Sequence, residues 1–271
     1  MWLRDCSCCS ENMNLLDWLI RFLQATAWKM DVPALFSPFH LSMTLLSMLI
    51  PYILVCHQPI NKTKAEQHLF HVGLILLMLE LYKQGFYYVV VNHMRYDWWH
   101  FPFQLCSMAM YLCLLLPFAK GRFHQTILTF LYDFSLPGAL LALLFPEDML
   151  RPYWTMTLHG FLWHAMLVYI AMIVYRNELA DPSWSGFSDA GVLYLFLAAS
   201  AFLLNILIHP YASFGFQPNY FYLSPYEKTG QFFFRLIAER FGITVELLLY
   251  LFLYILFCAL FHTVLRKTSR C

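Results

Sequence analysis

The chain is 271 residues long, with 61% hydrophobic and only 12% charged side chains, where a water-soluble domain has an apolar share nearer half and a charged share of about a quarter. That balance excludes an ordinary soluble domain and predicts a membrane-embedded protein. Seventeen basic against sixteen acidic residues leave a formal charge of +1, so there is no electrostatic basis for binding nucleic acid.

The N-terminal region carries Arg4, Asp5, Glu11 and Asp17 and does not read as a cleaved signal peptide. Cys6, Cys8 and Cys9 form a cluster that could hold a metal or an acyl chain, but no second Cys/His group stands nearby at zinc-ligand spacing. From Asn14 to Trp28, Leu15, Leu19, Phe22 and Leu23 recur at helical spacing beside Asp17 and Arg21. This is the pattern of an amphipathic helix lying at a membrane interface.

Crossing the hydrocarbon layer as a helix takes about 20 apolar residues. Seven such runs follow, at 39–56, 69–91, 101–118, 126–145, 155–175, 190–208 and 242–265. The expected fold is an all-α, polytopic membrane bundle of about seven transmembrane helices plus the N-terminal interfacial helix. Residues 1–36 form the N-terminal segment and 37–271 a single transmembrane domain.

The longest interruption, 209–241, is crowded with Tyr211, Phe214, Phe216, Tyr220, Phe221, Tyr222 and Tyr226, a composition suited to the headgroup boundary. It reads either as a lid over a lipid-facing site or as an aromatic belt. Lys62, Lys64, Lys120, Arg122 and Arg176 fall in short loops on one side, against Arg95 and Arg151 on the other. This favours a cytoplasmic C-terminus, although the N-terminal segment and the long sixth loop hold three basic residues each.

Charges inside spans are costly unless paired or hydrated. Glu80 and Lys83 stand three apart on the second span and can neutralise each other. Asp133 precedes Pro137-Gly138, where a broken helix is expected, and Glu246 opens the seventh span. Within the fifth span His159 and His164 are the ionisable residues between Thr155 and Tyr175. Five positions apart, they do not share a face, and no His-Glu-x-x-His pattern occurs, so no metal site and no cofactor are expected.

Cys56, Cys113 and Cys258 lie in or at the ends of apolar runs and act as small hydrophobes. Cys106 differs, because Pro102 is expected to open the third span and a thiol in the first turns of a helix meets free amides and the positive end of the dipole. Such surroundings favour a thiolate. Gln104 and Ser107 flank it as potential donors to an oxyanion or headgroup. Because the third and fifth spans enter the membrane from the same side, Cys106 can meet a histidine. Counting about 1.5 Å per residue from the predicted helix starts puts His159 and His164 at depths bracketing that of the thiol and does not choose between them.

Phe-Gln-Leu-Cys-Ser at 103–107, Gly-Ala-Leu-Leu-Ala-Leu-Leu-Phe-Pro at 138–146, Trp-His-Ala-Met-Leu at 163–167 and Asn-Tyr-Phe-Tyr-Leu-Ser at 219–224 occur in the order seen in the YwaF / transmembrane protein 164 family of integral membrane proteins. The chain resembles that family from about Phe36 to its C-terminus. The opening of the first span, Ser37-Pro38-Phe39-His40-Leu41, is closer to bacterial members, which implies a multi-pass protein of a bacterial cytoplasmic membrane. The resemblance implies a cysteine-dependent acyltransferase that moves a fatty acyl group from a phospholipid onto a lysophospholipid. Cys106 would be its nucleophile and His164 the partner. Gln104, Ser107, His159, Asn219 and Tyr220 are the candidate substrate-binding residues beside them. One departure is visible: animal members resemble Asn-Pro-Cys-His, whereas here Phe103, Gln104 and Leu105 separate Pro102 from Cys106.

Water as the acyl acceptor would make the same pair a lipid ester hydrolase. The reading from a different class is a non-catalytic transporter or lipid-binding scaffold, in which Glu80, Lys83, Asp133 and Glu246 line a path and Cys106 only packs. No internal symmetry supports transport. An intramembrane protease is disfavoured because neither Gly-x-Ser-x nor paired intramembrane aspartates occur.

Overall fold

A computed structural model describes residues 14–58 and 61–268, so the Cys6, Cys8 and Cys9 cluster lies outside the described residues. The chain folds as a helical bundle. The first helix, α1 (Leu15–Ala25), is capped by the Asn14 side chain, which accepts from Asp17 N at 2.8 Å. Leu23 packs against Phe86 and Met156, while Leu15, Leu16, Trp18, Leu19 and Phe22 remain exposed. An uncovered apolar stripe of this kind suits a helix lying on hydrocarbon.

Six helical segments are long and apolar enough to cross a membrane. They are α2 (Pro38–Cys56), α3 (Lys62–Phe86, continued by a π turn to Val91), the interrupted pair α5 (Gly121–Asp133) and α6 (Ser135–Leu144), α7 (Trp154–Arg176), α8 (Trp184–Ile208) and α10 (Ile243–Thr268). The seventh expected span is shorter. Its helix α4 (Leu105–Leu115) runs into a 3-10 turn ending at Phe118. Between α8 and α10 the aromatic segment forms short 3-10 turns and α9 (Phe232–Phe241).

The third span begins later than its sequence predicts. Trp98–His100 form a 3-10 turn, Phe101 is extended (φ −57°, ψ 132°), and the helix starts only after Gln104 (φ −80°, ψ 158°). Pro102 imposes the change, because a residue before proline is driven out of the α region. A short helix with irregular flanks is tolerated at membrane depth only when protein surrounds it. Ser107, Met108, Ala109, Met110, Leu112 and Cys113 are all buried. At Gly73 of α3 an added Cβ would lie 2.9 Å from Cys113 Cβ, so α3 and α4 pack with a close backbone approach.

The fourth span breaks where expected. Pro137 has no N–H for the carbonyl of Asp133, and Phe134 (φ −112°, ψ −40°) separates α5 from α6. At this break the buried Asp133 carboxylate accepts from His262 Nδ1 at 2.9 and 3.0 Å, beneath the rings of Trp184 and Phe187. Glu80 and Lys83 form the expected pair, with Nζ 2.9 Å from Oε2. Buried Glu246 accepts from Thr229 N at 3.2 Å and so ties the segment before α9 to α10. Helix α7 lies against α2, α3, α5 and α6, with Leu167, Ile170, Ala171 and Val174 in the core.

Removing one partner of the Asp133–His262 pair leaves the other buried alone, which costs about 3–5 kcal/mol. Asp133→Leu is therefore expected to lower the thermal unfolding midpoint in detergent sharply. Asp133→Leu/His262→Leu should recover much of that loss, and additive losses would mean that the two groups are not coupled.

Candidate active site

The late start of α4 brings Cys106 to the second position of a helix whose first amides have no carbonyl of their own helix to bond. Ser107 is buried, with its N–H on the Gln104 carbonyl at 2.8 Å. Cys106 is partly exposed, whereas Cys113 and Cys258 are buried.

Gln104 is the clamp on one side of the site. Its Nε2 donates to the Asn219 carbonyl at 3.1 Å and its Oε1 accepts from Phe221 N at 3.0 Å. Asn205 of α8 grips the same loop from the other side, with Nδ2 on the Tyr220 carbonyl at 3.1 Å and Oδ1 accepting from Tyr220 N at 2.8 Å. Asn219 Oδ1 accepts from Ser224 N at 2.9 Å, and the Tyr220 hydroxyl donates to the Trp98 carbonyl at 2.6 Å.

The Asn-Tyr-Phe-Tyr-Leu-Ser segment is thus inserted into the bundle, with Asn219, Tyr220, Phe221 and Ser224 buried. Phe221 and Tyr222 are held at φ 56° and 57°, a conformation costing on the order of 1–3 kcal/mol each that persists only when its surroundings over-determine it. Gln104, Asn219 and Tyr220, expected among the substrate-binding residues, are turned to the protein's own backbone.

On α7, His159 and Trp163 share a face and stack at 5.7 Å. Trp163 Nε1 donates to the Cys106 carbonyl at 3.2 Å, and His159 Nε2 lies 3.1 Å from the Leu79 carbonyl. These contacts register α7 against α3 and α4 at the level of the thiol. Sequence reasoning missed Trp163, whose signal was its position four residues after His159, on the same helical face.

His164 follows in the chain, and its Nδ1 is 2.8 Å from the Gly160 carbonyl. A carbonyl only accepts, so Nδ1 carries the proton and Nε2, at the far edge of the ring, is left as the acceptor. His159 is bonded the opposite way and keeps its inner nitrogen, Nδ1, unprotonated. Among the described residues no hydrogen bond joins the Cys106 thiol to His164.

Lys83 and Glu80 of α3, Tyr222 of the loop and Tyr250 of α10 lie within electrostatic range of the thiol. Gln84 donates to Glu80 Oε1 at 2.7 Å and also to the His100 carbonyl. Outside the membrane spans, the loop before α4 is latched to the loop after α8. The Asp97 carboxylate accepts from Trp99 N at 2.9 Å and packs on Gly215 (φ +78°), where a Cβ would lie 2.3 Å from Asp97 Cγ. Burial raises the Asp97 carboxyl and lowers His100 to about 3, the latter aided by Lys83 and Arg151. Stacked on Tyr87 at 3.6 Å, His100 is a neutral ring at pH 7. Its 3.7 Å approach to Asp97 is too long for a hydrogen bond.

A family model described as the TMEM164 family matches residues 35–264, which covers the bundle and every candidate site residue. Comparison with the curated proteins gave no match, and comparison with the solved structures gave none.

Two outcomes are expected from this geometry. Gln104→Ala leaves the Asn219 carbonyl and Phe221 N–H without partners at about 1–3 kcal/mol, so amide exchange across 219–224 should accelerate while that of α7 stays slow. Folded His100 holds a proton less tightly than the unfolded chain, so below the ordinary value of 6.5 the unfolded chain protonates first and stability falls as pH drops toward about 3. Asp97, raised on folding, contributes the opposite slope. His100→Gln should flatten the acid loss of the unfolding midpoint between pH 6.5 and 4; an unchanged slope would assign that loss to other groups.

Proposed function

The chain belongs to the TMEM164 family, and on that premise we propose that this multi-pass membrane protein is a cysteine-dependent lipid acyltransferase of the cell membrane. It moves a fatty acyl group from a phospholipid to a lysophospholipid. The observation that carries the proposal is the 3.2 Å hydrogen bond from Trp163 Nε1 to the Cys106 carbonyl. It fixes the start of α4 one residue away, along α7, from a histidine whose outer nitrogen is free to accept a proton.

In the first half-reaction His164 Nε2 takes the thiol proton as Sγ attacks the ester carbonyl of the donor. The oxyanion faces the first turn of α4 and the positive end of its dipole. The C–O bond then breaks, and the lysolipid leaves with the proton from His164. In the second half-reaction a lysophospholipid hydroxyl gives its proton to His164 and attacks the thioester, which restores the thiol. The free energy of the acyl bond is conserved through the thioester, so the exchange needs no coenzyme. His159 serves the reaction by position, since its stack on Trp163 holds the indole that holds Cys106. The absence of a direct thiol–imidazole bond is compatible with this cycle, because catalytic hydrogen bonds often tighten only once substrate is bound.

The test is to incubate the purified protein in vesicles with phosphatidylcholine labelled in its acyl chain and to look for a labelled Cys106 peptide that hydroxylamine releases. Wild type should form it and transfer label to added lysophospholipid, Cys106→Ala should do neither, and His164→Ala should lose about 10²–10⁴-fold in rate. Label transfer undiminished in Cys106→Ala would sink the proposal, and no label anywhere would favour the scaffold reading.

A further inference from the structure

Three polar atoms at the α5–α6 break have no hydrogen-bond partner among the described residues, namely Ser135 Oγ, Tyr194 OH and His262 Nε2. Their residues are 2%, 0% and 3% exposed. All three gather around Phe134. Ser135 follows it in the chain, the Tyr194 ring stacks on its ring at 5.2 Å, and the Phe187 ring touches both Phe134 and His262, at 5.4 and 5.2 Å. The Tyr254 hydroxyl donates to the Phe134 carbonyl at 2.6 Å, and its ring stacks on Tyr194 at 5.3 Å. Tyr254, Cys258 and His262 recur at every fourth residue of α10 and are all buried, so one face of that helix is turned to the break.

A buried polar group without a partner is costly, and several in one place mark a site for internal water, whose hydrogen bonds go to such groups. His262 Nε2 is fixed in kind. Nδ1 donates to the Asp133 carboxylate at 2.9 Å, so Nε2 is an acceptor and the pair carries one net negative charge. A proton received on Nε2 from water leaves the Nδ1–H bond to Asp133 in place and makes the pair neutral overall. Water has a way in. A cleft of about 330 Å³ between α5 and α8 is lined by Gln125, Thr129, Asp181, Gly186 and the exposed Ser185, with Arg122 paired to Asp189 at its rim at 2.6 Å. The buried wall of the cleft is Thr129, which accepts from Asp181 N at 3.0 Å and stands one turn of α5 before Asp133. The other titratable groups around the pair are Tyr132 of α5 with Tyr175 of α7 stacked on it, Asp181 before α8 and Cys258 of α10.

We propose that the α5–α6 break holds a cluster of water bound to Ser135, Tyr194 and His262, through which the Asp133–His262 pair exchanges a proton with the cleft between α5 and α8. The pair is then a proton-binding site of its own, on the membrane side opposite the start of α4. It is separate from Cys106 and independent of any acyl chemistry there.

The test is hydrogen–deuterium exchange at the imidazole Cε1, read by mass spectrometry on the full-length protein in lipid nanodiscs, because this exchange needs water at the ring and follows the ring's protonation. The reference is His40, which is as buried as His262 but has both nitrogens bonded within the protein, to Phe36 N and the Leu143 carbonyl. His262 should exchange about tenfold faster than His40, with a rate that titrates within about pH 5 to 8. Ser185→Trp, which obstructs the cleft from its exposed rim, should slow His262 and leave the exposed His57 unchanged. Exchange of His262 as slow as that of His40 would mean a dry structural pair and overturn the proposal. Fast exchange that Ser185→Trp does not slow would remove the cleft as the entrance and overturn it equally. Cys106→Ala should reproduce the wild-type pattern, so the acyltransferase reading can fall without this one.

Discussion

The constraint on which the structure depends is that backbone without a helix must find hydrogen-bond partners inside the protein when it lies in hydrocarbon. Two stretches here break that rule unless they help each other, namely 98–104 ahead of α4 and 219–224 ahead of α9. Two carboxamides resolve it. Gln104 and Asn205 each donate once and accept once on the loop backbone, and Tyr220 returns a bond to the Trp98 carbonyl. The Gln104 side chain serves the loop and does not cap its own helix, where the Ser107 N–H turns to the Gln104 carbonyl at 2.8 Å. The clamp that closes the bundle therefore also fixes where α4 begins, and with it the place of Cys106.

The ionisable groups inside the spans obey the same economy. Glu80 is paired with Lys83, Asp133 with His262, and Glu246 with a backbone N–H. They divide by place. Asp133 and His262 meet at the end of α5 and toward the end of α10, in company with Trp184 and Phe187 at the start of α8, so they sit toward the membrane side opposite the start of α4. Glu80 and Lys83 pair within α3, in electrostatic range of the Cys106 thiol. The first pair joins three helices across the α5–α6 break; the second compensates two charges within one helix.

Much of the fold was legible in the sequence because the length of a span and the effect of proline are strong physical rules. The long spans and the break at Pro137 follow from those alone. The start of α4 did not, because Pro102 reads equally as a first helical residue or as the end of an extended stretch, and only the Trp98–His100 turn decides. The depth of the aromatic loop was hidden for a related reason: tyrosine and phenylalanine suit an interface, yet Tyr220 and Phe221 are buried in the bundle, held there by amides distant in sequence. Depth counting could not choose between His159 and His164, because the uncertainty of the helix starts covered the difference, and it also took the helices to start at one level. Helix α4 begins well inside, level with the third turn of α7, as the reach of Trp163 to the Cys106 carbonyl requires.

The same geometry bears on which acceptor an acylated Cys106 would meet. A thioester survives for transfer only where water arrives more slowly than the second lipid. On the side from which α4 starts, the inserted 219–224 segment is clamped by Gln104, two residues before Cys106, and the Asp97–Gly215 latch fastens the loops there. Under the proposed mechanism the inserted 219–224 segment is the part of the chain whose opening would admit water to the thioester, so the balance between transfer and hydrolysis would depend on the Gln104 clamp as well as on the Cys/His pair.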